Sequence, residues 1–318
     1  MLSYLLFLLM LMRAELAQTE ESITEIFNFN DATTFVENLH VLPSGKILLS
    51  TMDAPFSGDL LILDPNETIP SFKSLVSLPG SNGLTGIAHL RGDVYAATGG
   101  IHMPFMFENG TMAVYVIKVD AEKETGVLLD TIPVPDTQML NGMDSIPANP
   151  SIVLSVDSIQ GRMFRINTST KEVNVAFTSD ALGPSGNGIP LGANGLKIRG
   201  SHLYFTNSAT GIFARIPIDS LGNNIGSIEE IASLDDVSMA GNLYDDFDID
   251  CKGNAYLSVH GSSVNRVTRK GVQTTLAGGF NGTLVKDPTS VSLARDGKSV
   301  YVGTGGDGSG GQVLRITL

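Results

Sequence analysis

From about residue 37 onward the chain repeats one pattern of polar and apolar positions six times. A polar or small residue opens each copy, an alternating apolar segment follows, a turn with Gly or Asn reverses the chain, and a second apolar run returns. The copies begin at Glu37 (ENLHVLPSGKILLST), Thr85 (TGIAHLRGDVYAAT), Asn141 (NGMDSIPANPSIVLSVDS), Asn194 (NGLKIRGSHLYFTNS), Asp245 (DDFDIDCKGNAYLSVH) and Thr289 (TSVSLARDGKSVYVGT). A third strand follows each one: DLLILDP, AVYVIKVD, RMFRINT, IFARIPI, VNRVTRK and QVLRITL. SFKSLVSL, EVNVAFTS, IEEIASL and TTLAGG are less regular candidates for a fourth. Copies spaced 44 to 56 residues apart, with short strands and no amphipathic helix, match four-stranded blades. The expected fold is all-β, a six-bladed β-propeller with a central channel, with residues 18–318 as one domain. A pair of β-sandwiches with accidental self-similarity is the alternative. A ring of blades leaves a seam, and the segment Ile23 to Phe29 (ITEIFNF) is expected to close it by pairing with the last blade.

Composition narrows the classes of function. The 318 residues carry 20 Lys+Arg against 33 Asp+Glu, a formal charge of -13, and such a surface repels phosphate backbones, so no nucleic-acid partner is expected. The lone Cys251 excludes an internal disulfide, a thiolate zinc site and CxxC redox chemistry, and sits in a DCKG turn as an incidental thiol. The apolar run Leu2 to Met12 is too short to span a bilayer and reads as the core of a signal peptide over residues 1–17, although no basic residue precedes it. Sequons at Asn66, Asn109, Asn167 and Asn281 agree with passage through the secretory pathway. A secreted or vacuolar glycoprotein with no membrane span in its mature form, and monomeric, is the expectation. GGDGSGG at 305–311 lacks the Lys and helix of a phosphate loop and reads as a hairpin, while Glu229-Glu230 and Asp235-Asp236 read as solvated surface.

In a propeller the innermost strand of every blade runs along the channel, so Glu37, Thr85, Asn141, Asn194, Asp245 and Thr289 should gather at one mouth. Two carboxylates and two amide oxygens there, from Glu37, Asn141, Asn194 and Asp245, form a hard-oxygen set for Ca²⁺, or for Mg²⁺ or Mn²⁺. The choice between Asp245 and Asp246 is settled by aligning Phe247 with Leu196. The ends of the second strands, Thr51, Thr98, Asp157, Asn207, His260 and Thr304, should return toward the same mouth. Of these, Thr98, Asp157 and Asn207, with Thr85, are the expected substrate contacts. His260 is either a channel-facing proton shuttle or a strand cap. In the insertion IHMPFMFENG, residues His102, Met103, Phe105, Met106 and Phe107 either form an apolar lid or fill a gap between blades.

The order Glu, a blade without a ligand, then Asn, Asn and Asp resembles the metal site of the gluconolactonase and senescence-marker-protein superfamily, whose relatives include diisopropyl fluorophosphatase-like and strictosidine synthase-like propellers. NGM at 141 and NGL at 194 resemble its Asn-Gly-apolar signature, and DDF at 245 its Asp-Gly-apolar one, with Asp246 in place of the usual Gly. The resemblance covers about 37–318. It implies that Glu37, Asn141, Asn194 and Asp245 hold a divalent metal, and that Asp245 doubles as general base or nucleophile in hydrolysis of a lactone, an ester or a similar small molecule. Some fungal propellers similar to this family are cyclases, including hetero-Diels-Alder catalysts, so cyclisation is the second reading. A binding propeller whose quartet holds only a structural ion is the third.

Overall fold

The structure is a computed structural model that describes residues 23–53, 58–104, 106–186, 188–238, 241–279 and 282–318. Six four-stranded antiparallel sheets succeed one another along the chain. The innermost strands are Phe35–Val41 in blade I, Gly83–Arg91 in II, Leu140–Ile146 in III, Ala193–Arg199 in IV, Tyr244–Ile249 in V and Pro288–Leu293 in VI. Each packs against the inner strand of the next blade, and that of VI packs against that of I, so the ring is closed. Blade VI is completed by the N-terminal strand Ile23–Asn28, which pairs antiparallel with Gln312–Thr317, from Ile23 opposite Ile316 to Asn28 opposite Gln312. The seam is therefore closed as expected. In blade II the fourth strand is Thr125–Pro133, which the repeat pattern left unassigned. Among the described residues no helix is long and apolar enough to cross a membrane.

The apolar core is divided among the junctions between blades. Leu60, Leu75, Ile87 and Tyr115 fill that between I and II, and Leu140, Met143, Phe107 and Phe164 fill that between II and III. Leu154 meets Phe205 between III and IV, and Phe213 meets Phe247 between IV and V. Val264 meets Val300 between V and VI, and Leu49 meets Tyr301 across the closing junction. Both faces of each sheet are thus buried, which is why the strands show apolar residues on both sides instead of a clean in-out alternation.

The channel end of every inner strand carries a β-bulge. Pairing with the second strand skips Glu37 in blade I, Thr85-Gly86 in II, Asn141-Gly142 in III, Asn194-Gly195 in IV, Asp245-Asp246 in V and Thr289 in VI. A bulge takes a residue out of the ladder and re-aims its side chain, so these six openings are free of the sheets that carry them. Hydroxyls from neighbouring blades satisfy carbonyls at these ends. Ser50 Oγ donates to Thr85 O, Thr85 Oγ1 to Leu140 O, Ser158 Oγ to Ala193 O, Ser208 Oγ to Tyr244 O, Ser258 Oγ to Thr289 O and Thr289 Oγ1 to Val36 O, all within 2.6–2.8 Å. This belt links all six junctions. The glycine after the axial residue in blade III is required by close approach, since a Cβ on Gly142 would lie 2.2 Å from Asn194 O.

Candidate functional site

Four of the six bulge residues present acceptors with few donors to meet them. Glu37, Asn141, Asn194 and Asp245 are all buried. The Asn194 amide is oriented by its Nδ2, which donates to Ser208 Oγ at 3.1 Å, while its buried Oδ1 has no hydrogen-bond partner. Burial, reinforced by the negative charge of Asp245, pushes the Glu37 carboxyl well above the usual carboxylate range. Burial likewise raises Asp245, against the pull of its hydrogen bond with His260. A buried site with two carboxylates that repel each other and an orphaned amide oxygen is short of positive charge. This donor set fits a hard divalent cation held by Glu37, Asn141, Asn194 and Asp245. Among the described residues no group of three or more His, Cys, Asp or Glu side chains could hold a metal by itself. The proposed set draws half its oxygens from amides.

His260 lies between two acids. Its Nε2 is 2.7 Å from Asp245 Oδ2 and its Nδ1 is 2.6 Å from Asp287 Oδ1. Burial works against a charged imidazole here, but the hydrogen bonds to Asp245 and Asp287 outweigh it and raise the pKa well above its ordinary value. Burial would raise Asp287, yet its hydrogen bond and charge interaction with His260 leave it lowered. His260 therefore does more than cap a strand. Asp287 was not among the residues singled out from the sequence. It lies two residues before the axial Thr289, and the two outer strands of blade V, Ser263–Val267 and Gln273–Gly278, separate it from His260 in sequence.

Asp246, which stands where glycine stands in blades II, III and IV, points along a different path from Asp245. Its Oδ2 accepts from Asn38 Nδ2 at 2.8 Å, and Lys197 Nζ lies 3.0 and 3.1 Å from its two oxygens. Blades I, IV and V are thereby bridged across the channel.

The expected substrate contacts are spent elsewhere. Thr85 Oγ1 donates to Leu140 O and is 2.6 Å from Thr98 Oγ1, so this fully buried pair belongs to the interblade belt. Asp157 accepts from the backbone of Ile159 and Gln160 and from Arg162, which tightens its own turn. Asn207 donates to Ala181 O and Gly183 O and accepts from Thr210 N. Thr85, Thr98, Asp157 and Asn207 thus all have hydrogen-bond partners within the protein. Of the remaining second-strand ends, Thr304 Oγ1 accepts from Gln312 N, and Thr51 Oγ1 is buried without a partner.

In the insertion, Phe107 fills the gap between blades II and III, and His102 packs on it at 5.3 Å with its Nδ1 2.9 Å from Asp53 Oδ1. Met103 is exposed, Met106 is half-buried, and Phe105 lies outside the described residues. Cys251 is exposed. Asn66 and Asn109 are exposed, and Asn167 is half-buried at a turn; Asn281 and residues 1–17 lie outside the described residues.

No protein-family model matches the chain. By sequence it is 25% identical over 211 residues to the proposed hetero-Diels-Alderase asR5 of Sarocladium schorii, a match covering 59% of this chain and 52% of that one. The chain thus spans about half the length of the curated relative it matches. Among solved structures, the calcium-binding protein regucalcin from Agrobacterium tumefaciens superposes with a TM-score of 0.61 at 13% identity, covering 92% of each chain. A luciferin-regenerating enzyme gives a TM-score of 0.64 at 14% identity, covering 93% of this chain and 95% of its own. The six-bladed propeller fold is shared with these proteins.

Proposed function

We propose that the protein is a cation-dependent enzyme of the secretory pathway that hydrolyses a small lactone or ester at the channel mouth built by the bulges. The observation behind this reading is that a donor-poor cradle of Glu37, Asn141 and Asn194 adjoins the Asp245–His260–Asp287 chain. A bound Ca²⁺ would polarise the substrate carbonyl and offset the developing oxyanion. Glu37 and Asp245 would balance its charge, and the amide oxygens of Asn141 and Asn194 would supply the protein's other ligands. Asp245 takes the proton of the attacking water as a C–O bond forms. The same carboxyl delivers that proton to the leaving oxygen as the scissile C–O bond breaks, while the His260 imidazolium, hydrogen-bonded through Nε2, stabilises the Asp245 carboxylate before and after the transfer. Asp287 holds Nδ1 and fixes the ring.

The test joins calcium titration calorimetry and elemental analysis to a screen of lactones and aryl esters. One Ca²⁺ per chain and turnover abolished by EDTA are expected. Failure of both measurements to find a divalent metal overturns the cradle, and uptake without turnover of any substrate leaves a binding propeller. Glu37 holds its proton more tightly in the native state than in the unfolded chain. Stability of the cation-free protein therefore falls as pH rises from the ordinary carboxylate range through the raised Glu37 value. Cation binding needs the carboxylate, so it strengthens over the same window. The Ca²⁺-induced rise in Tm should be small at the pH of ordinary carboxylate titration and grow as pH rises through the raised Glu37 value, where Ca²⁺ displaces the Glu37 proton.

Asp287→Asn gives a separate check. With that charge gone the His260 pKa falls, so the pH–kcat limb due to the imidazolium moves to lower pH. kcat should drop about 10- to 100-fold with KM little changed. An unmoved profile removes Asp287 from the relay.

The sequence relative favours a second reading, cyclisation. There the mouth would orient two reactive partners, and lost freedom of motion would supply most of the acceleration. Activity that survives EDTA would favour it.

A further inference from the structure

The other end of the channel holds a second cavity with the opposite bonding character. Its volume is about 560 Å³, within the range of small-molecule sites, and residues from all six inner strands line it. Lys197, which lines it, reaches to Asp246 in the blade V bulge, where Asn38 also donates.

Its acids are saturated. Asp144 accepts from Ser145 N and Ile198 N, both at 2.8 Å, and Asp248 accepts from Ile249 N, Leu293 N and Arg199. Its donors are not. Arg295 is exposed at the rim and has no ion pair or hydrogen bond with a described residue, and the His40 ring and the Tyr95 hydroxyl have no hydrogen bond with one either. His40 meets Tyr95 edge-on at 5.6 Å and stacks with His89 at 6.5 Å, so one wall is aromatic. The His40 pKa is lowered to about 3, by burial and then by Lys197, His89 and Arg295. Leu39, Ile87 and Pro147 supply apolar lining.

We propose that this cavity binds a small organic anion, a carboxylate on a flat apolar body, with Arg295 pairing the charge and the His40–His89–Tyr95 wall flanking the body. The channel is thereby bipolar: one mouth lacks donors and suits a cation, and the other has spare donors and suits an anion. This site stands independently of the activity proposed for the bulge end.

The probe is 2-naphthoate, followed by its own fluorescence, which is readily resolved because the chain contains no Trp. The neutral 2-naphthylmethanol serves as control. Saturable binding of the carboxylate and not of the alcohol is expected. Arg295→Ala should weaken it about tenfold and Arg295→Glu further, while Arg269→Ala, an exposed arginine of blade V, leaves it unchanged. Arg295 is exposed, so its variants should melt with the parent. Absence of binding, equal affinity for the alcohol, or an Arg295→Ala variant that matches Arg269→Ala would overturn the proposal.

Discussion

Asp245→Asn is expected to lower kcat/KM on the responsive lactone or ester by about 10³-fold while the protein stays folded. The substitution is nearly isosteric, but it removes three things together: one of the two charges that balance the cation, the base for the attacking water, and the acid partner of His260 Nε2 at 2.7 Å. Stability should move differently from activity. Burial and mutual repulsion raise both Glu37 and Asp245 in the cation-free protein. Neutralising one of them relieves the other, and Asp287 still holds His260 at 2.6 Å. Unfolding in urea without calcium should therefore stay within about 1 kcal/mol of the parent. In saturating calcium the parent should gain stability that the variant does not, because its cation affinity is reduced. Undiminished turnover in a folded Asp245→Asn protein would remove Asp245 from the chemistry. Lost activity accompanied by unfolding would instead assign it to the scaffold.

The fold was legible because a propeller writes its architecture into the chain repeatedly. Each blade must open its inner strand, turn and return, so six polar openings followed by apolar runs mark six bulges even without knowledge of the bulges themselves. Glu37, Asn141, Asn194 and Asp245 could be singled out for the same reason: they occupy equivalent points in equivalent blades. The belt of hydroxyls also explains two openings that offer no ligand. Thr85 and Thr289 spend their side chains on Leu140 O and Val36 O, and so lock their blades to the next ones.

What the pattern could not show was which polar atoms were already committed. Asp157 and Asn207 stand at strand ends that point the right way, but their oxygens and amide hydrogens close local turns, and turn geometry depends on loop lengths that differ from blade to blade. Asp287 was missed for a related reason. Its partner His260 ends the second strand of blade V, and two further strands, Ser263–Val267 and Gln273–Gly278, intervene before Asp287 returns to it at the entry to blade VI. The repeat reports position within a blade, whereas hydrogen-bond satisfaction is decided between blades.

Asp246 illustrates how a departure from the repeat is compensated. Blades II, III and IV carry glycine at this point, and a Cβ on Gly195 would lie 2.7 Å from Asp246 Cα and 3.0 Å from Asp245 O, so the neighbouring backbone leaves room for little else. In blade V the extra carboxylate turns across the channel, where Lys197 and Asn38 meet it and its Oδ1 also accepts from Phe247 N at 2.7 Å. Lys197 in turn lies 5.7 Å from the centre of the Phe247 ring. Lys197→Met keeps most of the apolar stem but leaves the buried Asp246 without its cation, and the expected loss is about 3–5 kcal/mol in urea unfolding at neutral pH. Asp246→Gly combined with Lys197→Met removes both charges and restores the residue type of the other blades, so the double variant should recover most of that loss. This coupling separates a charge pair from a packing contact: if Lys197 mattered only for its stem, the second substitution would bring no recovery. A loss below about 1 kcal/mol for Lys197→Met would mean that Asn38 and the backbone alone satisfy Asp246.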